Sequence, residues 1–441
     1  MFGRKPRLAT VGRGWPLRFP SARPSTRSGR PEPAEGRGRD TRSSAKDRWE
    51  RRGQPARRVL PGLAIALLAW LAVGCPRETA IDLGPPRKVA DGVQLFLVSD
   101  KNLLDPPGPI AVQILRLDPS KVDLRSALAH ERVMQLETVP EIAARTEAIA
   151  AINAGFFVVK NGDPAGVLET RDELVSDSRL TRGAVGIVRA PGKPLSLLFD
   201  RVSAAVTLRY AIGGETINQD IDGVDTTRVR GQLMLYTPSY GPDSDMADTG
   251  VEWQLAGSPL KVVERRPNAG HTPIPKDGVV LSFGGTILPT GLERLDVGQQ
   301  VIIETHFQTR LDTRPEQWVA AQDVVGGAGL LVHRGQPIMD WSPEQLRAGF
   351  DTERHPRTMI GTTRGSAVWL VTVDGRNPSL SLGMTFAELT NLARKLNLVE
   401  ALNLDGGGST TMVVGGRIVN HPSDATGPRK VSDALVVTRR E

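Results

Sequence analysis

The stretch between residues 184 and 320 sets the strongest limit on how this chain can fold. It contains short apolar runs of β-type composition, separated by Gly, Pro and Asp. The runs are VGIV, LSLLF, AAVTLRY, QLMLY, GVVLSF and QVIIETHF. None is long enough for an amphipathic helix, and no repeat of solenoid length is present. The pattern therefore predicts a β-rich middle and excludes a helical bundle or a helical solenoid.

The C-terminal third predicts a strand–helix–strand unit. Residues 367–373 read as a continuous apolar strand, and residues 399–404 read as a second one. Between them, Thr385 and Glu388 have the spacing of a capping box, which marks the start of a helix. The apolar face of that helix repeats at i, i+3 and i+4 and ends near Leu396. The fold class is therefore predicted to be α+β, a mixed β-sheet core with this unit near the C-terminus and the β-rich middle in a single catalytic domain.

Two aspartates follow the strands of this unit. Asp374 comes after the first strand, and Asp405 comes after the second. Strands joined by a crossover helix are parallel, with a right-handed connection, so their carboxyl ends share one edge of the sheet. Ligand sites of open α/β sheets lie at that edge. We therefore expect Asp374 and Asp405 at one functional site.

The net charge of +7 comes from the front of the chain. Residues 1–80 hold 18 Lys and Arg against 6 Asp and Glu, whereas the remainder holds 38 against 43. Residues 1–58 are rich in Arg, Pro, Ser and Gly, so they are predicted to be a disordered basic leader. The body is mildly acidic, which argues against a phosphate-backbone surface and against nucleic acid as a partner.

Residues 59–75 resemble a secretory signal segment that ends in a bacterial lipobox. The apolar run is shorter than the roughly 20 residues of a membrane-spanning helix, and arginines precede it. It ends at Gly74 and Cys75, the only cysteine, although Ala72 stands where Leu is usual. The prediction is an exported lipoprotein with a lipidated Cys75, anchored on the periplasmic face of the outer membrane. The alternatives are a plain secretory signal and a short membrane anchor. A leader this long is unusual, so we expect the translation start near Arg51.

The predicted mature chain has two parts. Residues 76–90 read as a short tether, and residues 91–441 read as one domain. A single cysteine excludes a disulfide framework and a multi-cysteine zinc site.

An ordered set of motifs lies between residues 145 and 440. The motifs are Asn153-Ala-Gly-Phe-Phe, Tyr236-Thr-Pro, Gly326-Gly-Ala-Gly, Arg354-His-Pro-Arg-Thr, Val373-Asp-Gly-Arg, Asp405-Gly-Gly-Gly-Ser-Thr and Asn420-His-Pro-Ser-Asp with Val431-Ser-Asp-Ala. Each motif is weak alone, but in this order they resemble the phosphodiester glycosidase (NAGPA-type) family. The resemblance implies hydrolysis of a sugar whose anomeric carbon is linked to a phosphodiester, with roles in envelope or exopolysaccharide metabolism.

Such a reaction needs a carboxylate near the anomeric carbon and cations or amide donors for the phosphate. The catalytic candidates are Asp405, Asp374 and Arg357, with Asp405 as nucleophile or general base, Asp374 as the complementary carboxylate and Arg357 as the phosphate clamp. His355 is a candidate acid, although a phosphate leaving group has less need of one. The substrate-binding candidates are Asn153, Gly155, Thr358, Arg376, Gly406, Gly407, Gly408, Ser409, Thr410 and Asn420. The expected substrate is a glycosyl phosphodiester or a phosphosugar polymer.

Other interpretations stay open. An envelope lipoprotein could bind phosphosugar polymers without cleaving them. Asp-Gly after a strand and Asn-Ala-Gly are also ordinary turn chemistry, and Arg357 has an alternative role in a structural ion pair. Ordinary roles are expected for His130, His271, His306, His333 and His421. No cofactor or metal is predicted. The acidic loops at 220–225 and 243–248 could hold Ca²⁺, but they lack EF-hand spacing and are expected to be solvated.

Overall fold

A computed structural model describes residues 81–246, 250–311 and 314–440. All of these residues belong to one compact unit. The predicted leader, the signal segment, Cys75 and the first part of the tether lie outside the described residues. Within the described part of the chain, no helix is long and apolar enough to cross a membrane.

The first half of the unit is built from strands and one short helix. In chain order they are β1 (Arg87–Ala90), β2 (Val93–Val98), β3 (Val112–Leu117), β4 (Val122–Leu128), β5 (Glu137–Thr138), α1 (Val139–Arg145), β6 (Ala150–Asn153), β7 (Leu168–Thr170), β8 (Glu173–Ser176), β9 (Ser178–Val188), β10 (Ser196–Ile212), β11 (Glu215–Ile221) and β12 (Gly223–Val224). Helix α1 begins with a Pro in its first turn, after a capping box of Thr138 and Glu141.

The second half continues in the same way. Its elements are β13 (Leu233–Tyr236), β14 (Val251–Ala256), β15 (Lys261–Pro267), β16 (Gly278–Phe283), β17 (Val301–Thr309), β18 (Asp323–Gly326), β19 (Leu330–His333), β20 (Gln336–Pro337), β21 (Arg357–Thr363), β22 (Val368–Val373), α2 (Phe386–Lys395), β23 (Leu398–Asn403), β24 (Met412–Val414), β25 (Arg417–Ile418), β26 (Lys430–Val431) and β27 (Asp433–Arg439). Short 3-10 turns occur at Lys101–Leu103, Ala129–Glu131, Leu292–Arg294, Pro315–Ala320, Ser342–Glu344 and Gly407–Ser409.

The predicted strand–helix–strand unit forms part of an eight-stranded sheet in the order β1-β2-β3-β22-β21-β23-β19-β20. Strand β21 pairs antiparallel with both β22 and β23. The two predicted strands are therefore parallel to each other, but β21 lies between them. Asp374 and Asp405 still follow the carboxyl ends of strands that run in the same direction, as predicted.

A five-stranded sheet in the order β25-β24-β6-β27-β4 supplies the rest of the site framework. Strands β6 and β27 pair antiparallel, with Asn153 opposite Ala434. The last residue of β6 therefore lies beside the first residues of β27. This register brings Asn153 next to Asp433, although 280 positions separate them in the sequence.

The middle of the chain is β-rich, as predicted. It contributes most of a seven-stranded sheet, β11-β10-β9-β18-β7-β8 with β17 on β10, and a five-stranded sheet, β12-β13-β16-β14-β15. Strand β10 is 17 residues long and pairs with β9, β11 and β17. Apolar side chains of these sheets, including the fully buried Trp253, form a separate core cluster.

Helix α2 follows its sequence pattern closely. Thr385 and Glu388 form the capping box, and the apolar face buries Phe386, Leu389 and Leu392. Glu388 also receives hydrogen bonds from Arg354, which fixes the loop before β21. Asn397 has φ 56°, a left-handed conformation that ends the helix. Strand β23 then begins at once.

Candidate active site

The ends of four strands meet around Asp405. The Asp405 amide donates to the Ala154 carbonyl at 2.9 Å, just beyond β6. The Leu404 amide donates to the carbonyl of Thr358, on β21, at 2.8 Å. The Gly155 amide donates to Oδ1 of Asp433, the first residue of β27, at 2.6 Å. These contacts place segments that are far apart in the sequence around one carboxylate.

Asp405 and Asp433 are two carboxyl groups of this site, and the charge of Asp405 acts on Asp433. Burial raises the pKa of Asp405 to about 6, against the opposing effects of the Ser409 hydroxyl, the Gly406 amide and the charge of Arg429. The pKa of Asp433 is raised to about 7, chiefly by burial, with the charge of Asp405 adding to the rise and the Gly155 amide opposing it. Asp433 is only 1% exposed, and its Oδ2 has no hydrogen-bond partner. The pair therefore titrates near neutral pH, as acid–base groups of hydrolases do.

Gly155 makes room for Asp433. A Cβ atom at this position would lie 2.8 Å from Asp433 Oδ2 and 3.4 Å from Oδ1. Glycine therefore lets the backbone approach the carboxyl group closely enough for its amide to donate a hydrogen bond. Gly155 was predicted to bind substrate, but its amide binds the carboxyl group of Asp433 instead.

Two guanidinium groups lie over the glycine loop, residues 406–408. A Cβ at Gly407, which has φ 61°, would lie 3.0 Å from Nη2 of Arg376. A Cβ at Gly408 would lie 2.1 Å from Nη2 of Arg429 and 2.3 Å from Oδ1 of Asp424. Because Gly407 and Gly408 have no side chains, the guanidinium groups of Arg376 and Arg429 can lie against the loop. Arg376 is exposed to solvent. Arg429 was not among the residues predicted from the sequence.

Most amides of the loop are already used within the protein, which argues against the predicted substrate-binding role of Gly406, Gly407, Ser409 and Thr410. The Gly406 amide donates to Asp405 Oδ1, and the Gly407 amide donates to the Pro356 carbonyl. The amides of Ser409 and Thr410 close the 3-10 turn, and their side chains are buried. The loop therefore gives the site its shape, while the guanidinium groups supply its positive charge.

Arg357 does not have the geometry of a phosphate clamp, and this prediction is corrected. Its side chain is 1% exposed, and three of its N–H groups donate to the carbonyls of Phe350, Glu353 and Met384 at 2.8 Å. The guanidinium also lies over the rings of Phe350 and Phe386, 5.3 and 4.7 Å from their centroids. Burial lowers its pKa to about 10. Arg357 therefore holds the loop before β21 against helix α2.

Three further predicted substrate contacts belong to the framework instead. Asn153 donates to the Asp405 carbonyl at 2.7 Å and accepts from Thr358 Oγ1 at 2.8 Å. Asn420 donates to Asp374 Oδ1 and the Thr410 carbonyl, and it accepts from the Met412 amide. Asn153, Thr358 and Asn420 are buried. With their polar groups occupied, they position the loops and do not bind sugar hydroxyls.

Asp374 lies at the predicted edge of the sheet but is committed to protein partners. Its carboxylate accepts from Gln113 at 3.0 Å, Asn420 at 3.1 Å and the His421 amide at 2.9 Å. It also lies 3.1 Å from Nδ1 of His421. Asp374 is 2% exposed, whereas the His421 side chain is 66% exposed. Asp374 is therefore committed to holding His421, which argues against its predicted role as the complementary carboxylate of Asp405.

His355 was the other candidate acid. Its Nε2 lies 3.3 Å from Oε2 of Glu353, and its Nδ1 is buried without a hydrogen-bond partner. Burial lowers its pKa, and the charges of Arg357 and Arg376 lower it further. A histidine in this setting is held in its neutral form, which does not suit a proton donor.

The sequence interpretation missed Asp433, Arg429 and His421 as functional residues. Asp433 and His421 both lie inside motifs that carry the family resemblance, which was a usable signal for them. Arg429 lies in a loop between the last two motifs and had no such signal. Its role follows only from the closeness of its guanidinium group to Gly408.

The acidic loops at residues 220–225 and 243–248 make none of the contacts described above. Asp225 is fully buried and accepts from the amide and hydroxyl of Thr237. Donor atoms of Asp243, Asp245 and His271 lie within 4.8 Å of one another in a group with two exposed members. Asp248 lies outside the described residues.

Comparisons with known proteins show what the chain is similar to. Residues 250–438 match the sequence model of the NAGPA family, described as phosphodiester glycosidase. Over 87 residues the chain is 36% identical to N-acetylglucosamine-1-phosphodiester alpha-N-acetylglucosaminidase of Bos taurus. The aligned segment covers 18% of this chain and 16% of that enzyme. Over 85 residues it is 35% identical to the SPbeta prophage-derived uncharacterized protein YomE of Bacillus subtilis, or 19% of this chain and 13% of that protein.

The matches thus span less than a fifth of the length of these relatives. A hypothetical protein from Synechocystis shares the fold, with a TM-score of 0.66 and 24% identity over 81% of this chain and 64% of that one. The family match lies inside the region in which the motifs were found, and it includes Asp374, Asp405, His421, Arg429 and Asp433. Residues 250–438 of the chain are therefore similar to the NAGPA phosphodiester glycosidase family.

Proposed function

We propose that the chain hydrolyses a glycosyl-1-phosphodiester at the bond between the anomeric carbon and the phosphate oxygen. The observation that carries the proposal is the pair Asp405–Asp433, next to a glycine loop that lies beneath Arg376 and Arg429. A substrate of this class has a sugar ring for the carboxyl pair and a negative phosphate for the guanidinium groups. The bovine relative named above, an N-acetylglucosamine-1-phosphodiester glycosidase, supports GlcNAc as the sugar.

The carboxyl pair provides the chemistry at the sugar. The pKa values are about 6 for Asp405 and about 7 for Asp433. Near neutral pH, Asp433 is therefore protonated in part of the molecules, while Asp405 is mostly ionised. An ionised carboxylate stabilises an oxocarbenium-like transition state or attacks the anomeric carbon. It can also take a proton from the attacking water. Asp405 is our first choice for this group because it is less enclosed than Asp433.

The guanidinium groups provide the chemistry at the phosphate. Arginine binds phosphate oxygens through paired N–H groups, and its charge stabilises the charge that develops when the sugar–oxygen bond breaks. Arg429 is held by Asp424 at 2.8 and 3.1 Å, which orients it over Gly408. These two guanidinium groups occupy the space that the missing side chains of Gly407 and Gly408 leave, and we place the phosphate group on them.

The test is release of free sugar from a panel of GlcNAc-1-phosphodiesters by the purified full chain, with release of the phosphomonoester measured in parallel. The proposal expects both products in equal amounts. Tight binding of the panel in a calorimeter without any product would favour the alternative, a protein that binds phosphosugar polymers without cleaving them.

Removing either guanidinium group should weaken phosphate binding. We expect Arg376→Ala and Arg429→Ala each to raise KM for a GlcNAc-1-phosphodiester about 10-fold or more, because a charge-assisted hydrogen bond contributes about 1.5–3 kcal/mol. Arg116→Ala, which removes an exposed arginine from the same sheet as Asp374, is the matched control. Initial-rate kinetics give KM for the three variants and for the wild type. Unchanged KM values in both site variants would remove these arginines from the phosphate site.

We further propose that the protein works in the cell envelope as a lipoprotein anchored through Cys75, in envelope or exopolysaccharide metabolism. Support comes from the sequence, in which an apolar segment of signal type ends at the only cysteine. Labelling cells of a bacterial expression host with radioactive palmitate should mark the wild-type chain in the membrane fraction. Cys75→Ser should lose the label, and equal labelling of the two chains would contradict the anchor.

A further inference from the structure

We propose that His421, held by Asp374, donates a proton from Nε2 to the phosphate oxygen that leaves the sugar. This inference rests on the proposed hydrolysis and adds the residue that completes its leaving step. Asp374 acts as a positioning residue in this scheme, because it contacts His421 and not the substrate.

The first support is the way His421 is held. Two atoms of the residue, the backbone amide and Nδ1, lie 2.9 and 3.1 Å from the carboxylate of Asp374. Gln113 and Asn420 fix that carboxylate in turn, at 3.0 and 3.1 Å. An imidazole whose Nδ1 binds a buried carboxylate presents Nε2 outward. His421 is therefore an exposed ring with one nitrogen anchored and one nitrogen available.

The second support is its place beside the proposed phosphate site. Asn420 donates to the Thr410 carbonyl, so this loop packs against the end of the glycine loop. Three residues after His421, Asp424 pairs with Arg429 over Gly408. Arg376 follows Asp374 by two residues and lies over Gly407. The loop that carries His421 is therefore linked, through Asp374 and Asp424, to the two arginines that we assign to the phosphate.

The third support is the chemistry of the leaving group. Breaking the sugar–oxygen bond of a phosphodiester releases a phosphomonoester dianion, whose conjugate acid has a pKa near 6. Histidine is the side chain that most often serves as a general acid, and an exposed imidazole can pass a proton to this acceptor. A phosphate leaving group has less need of an acid than most, but His421 offers one in the loop next to the two arginines.

The complete step balances as follows. The bond between the anomeric carbon and the bridging oxygen breaks, and its electron pair stays on that oxygen, which receives the proton of His421. The oxygen of a water molecule bonds to the anomeric carbon, directly or after attack by a carboxylate. One proton of that water passes to the Asp405–Asp433 pair. Solvent then returns a proton from the pair to His421, whose side chain is 66% exposed.

The test compares His421→Ala with His271→Ala on a GlcNAc-1-phosphodiester. His271 is a matched control, because it is 54% exposed and lies 3.3 Å from an aspartate, Asp243. We expect His421→Ala to lower kcat by about 10²–10⁴-fold, the usual contribution of a general acid, with KM changed less than about threefold. Added imidazole should restore at least about tenfold of the lost rate, because the exposed position leaves room for it. Asp374→Asn should also lower kcat, and His271→Ala should match the wild type.

Three results would overturn the inference. The first is a kcat of His421→Ala within about twofold of the wild type, while Asp405→Asn is inactive, which leaves the proposed hydrolysis intact. The second is a loss of kcat that imidazole does not restore in a variant with the wild-type melting temperature, since that pattern indicates a structural role. The third is a wild-type chain that releases no sugar at all, which rejects the proposed function and this step together.

Discussion

Asp405→Asn and Asp433→Asn are each expected to lower kcat for a GlcNAc-1-phosphodiester by about 10³–10⁴-fold. Asparagine keeps the shape of the side chain, and its oxygen still accepts the amide hydrogen bonds from Gly406 and Gly155. It carries no negative charge and exchanges no proton near neutral pH. Each substitution therefore removes the chemistry of the pair and leaves its surroundings in place. KM should change little, because the guanidinium groups that bind the phosphate are untouched.

The control for these variants is Glu252→Gln. Glu252 lies on β14 and is also fully buried, where it accepts from Ser282 at 2.6 Å and Ser244 at 3.1 Å. This variant should keep the wild-type kcat even if its stability falls. Steady-state kinetics at fixed pH, together with thermal melts of all three variants, separate a catalytic effect from unfolding. Full activity of both aspartate variants would remove the pair from the reaction.

The same Asp433→Asn substitution is expected to stabilise the fold at pH 8 by about 2–4 kcal/mol. The pKa of Asp433 rises from an ordinary value of 3.8 to about 7 in the folded chain. Between about pH 4 and pH 7 the folded state therefore binds more proton than the unfolded state, so the free energy of unfolding falls as pH rises. The penalty is absent below about pH 4 and complete above about pH 7. Each unit of pKa difference corresponds to about 1.4 kcal/mol, and asparagine removes the buried charge that causes it.

Urea unfolding of both chains at pH 5 and pH 8 checks this prediction. The difference between variant and wild type should be large at pH 8 and should shrink toward pH 5, where the wild-type carboxyl group is largely protonated. If Asp433→Asn is less stable than the wild type at pH 8, the buried charge of Asp433 does not destabilise the folded chain, and the prediction is wrong. Together the two predictions describe a residue that costs stability and is retained for catalysis.

Local patterns in the sequence were enough to predict many of the helices and strands. Periodicity and capping residues gave helix α2, and continuous apolar runs gave β22 and β23. The two strand-end aspartates were expected at one edge of a sheet, and Asp405 lies at the centre of the site. These features depend on neighbours within a few residues, which a single sequence displays.

The remaining features depend on contacts across the chain. Strand β21 lies between β22 and β23 because its apolar face fits there, and no local pattern encodes that order. Asn153 bonds to the Asp405 carbonyl across 252 positions, and Gly155 bonds to Asp433 across 278. Arg357 looked like a phosphate ligand because its type suits phosphate, but burial between Phe350 and Phe386 commits it to the fold. Residue type gave the chemistry of the site, and long-range packing decided which residues carry it.

The proposed reaction breaks the bond between sugar carbon and oxygen, not the bond between phosphorus and oxygen. Hydrolysis of a GlcNAc-1-phosphodiester by the wild-type chain in ¹⁸O-labelled water tests this claim directly, with mass spectrometry of the released phosphomonoester. The account predicts that the phosphomonoester carries no ¹⁸O, because water adds to the anomeric carbon. A phosphomonoester that contains ¹⁸O would contradict it, since water would then have attacked phosphorus.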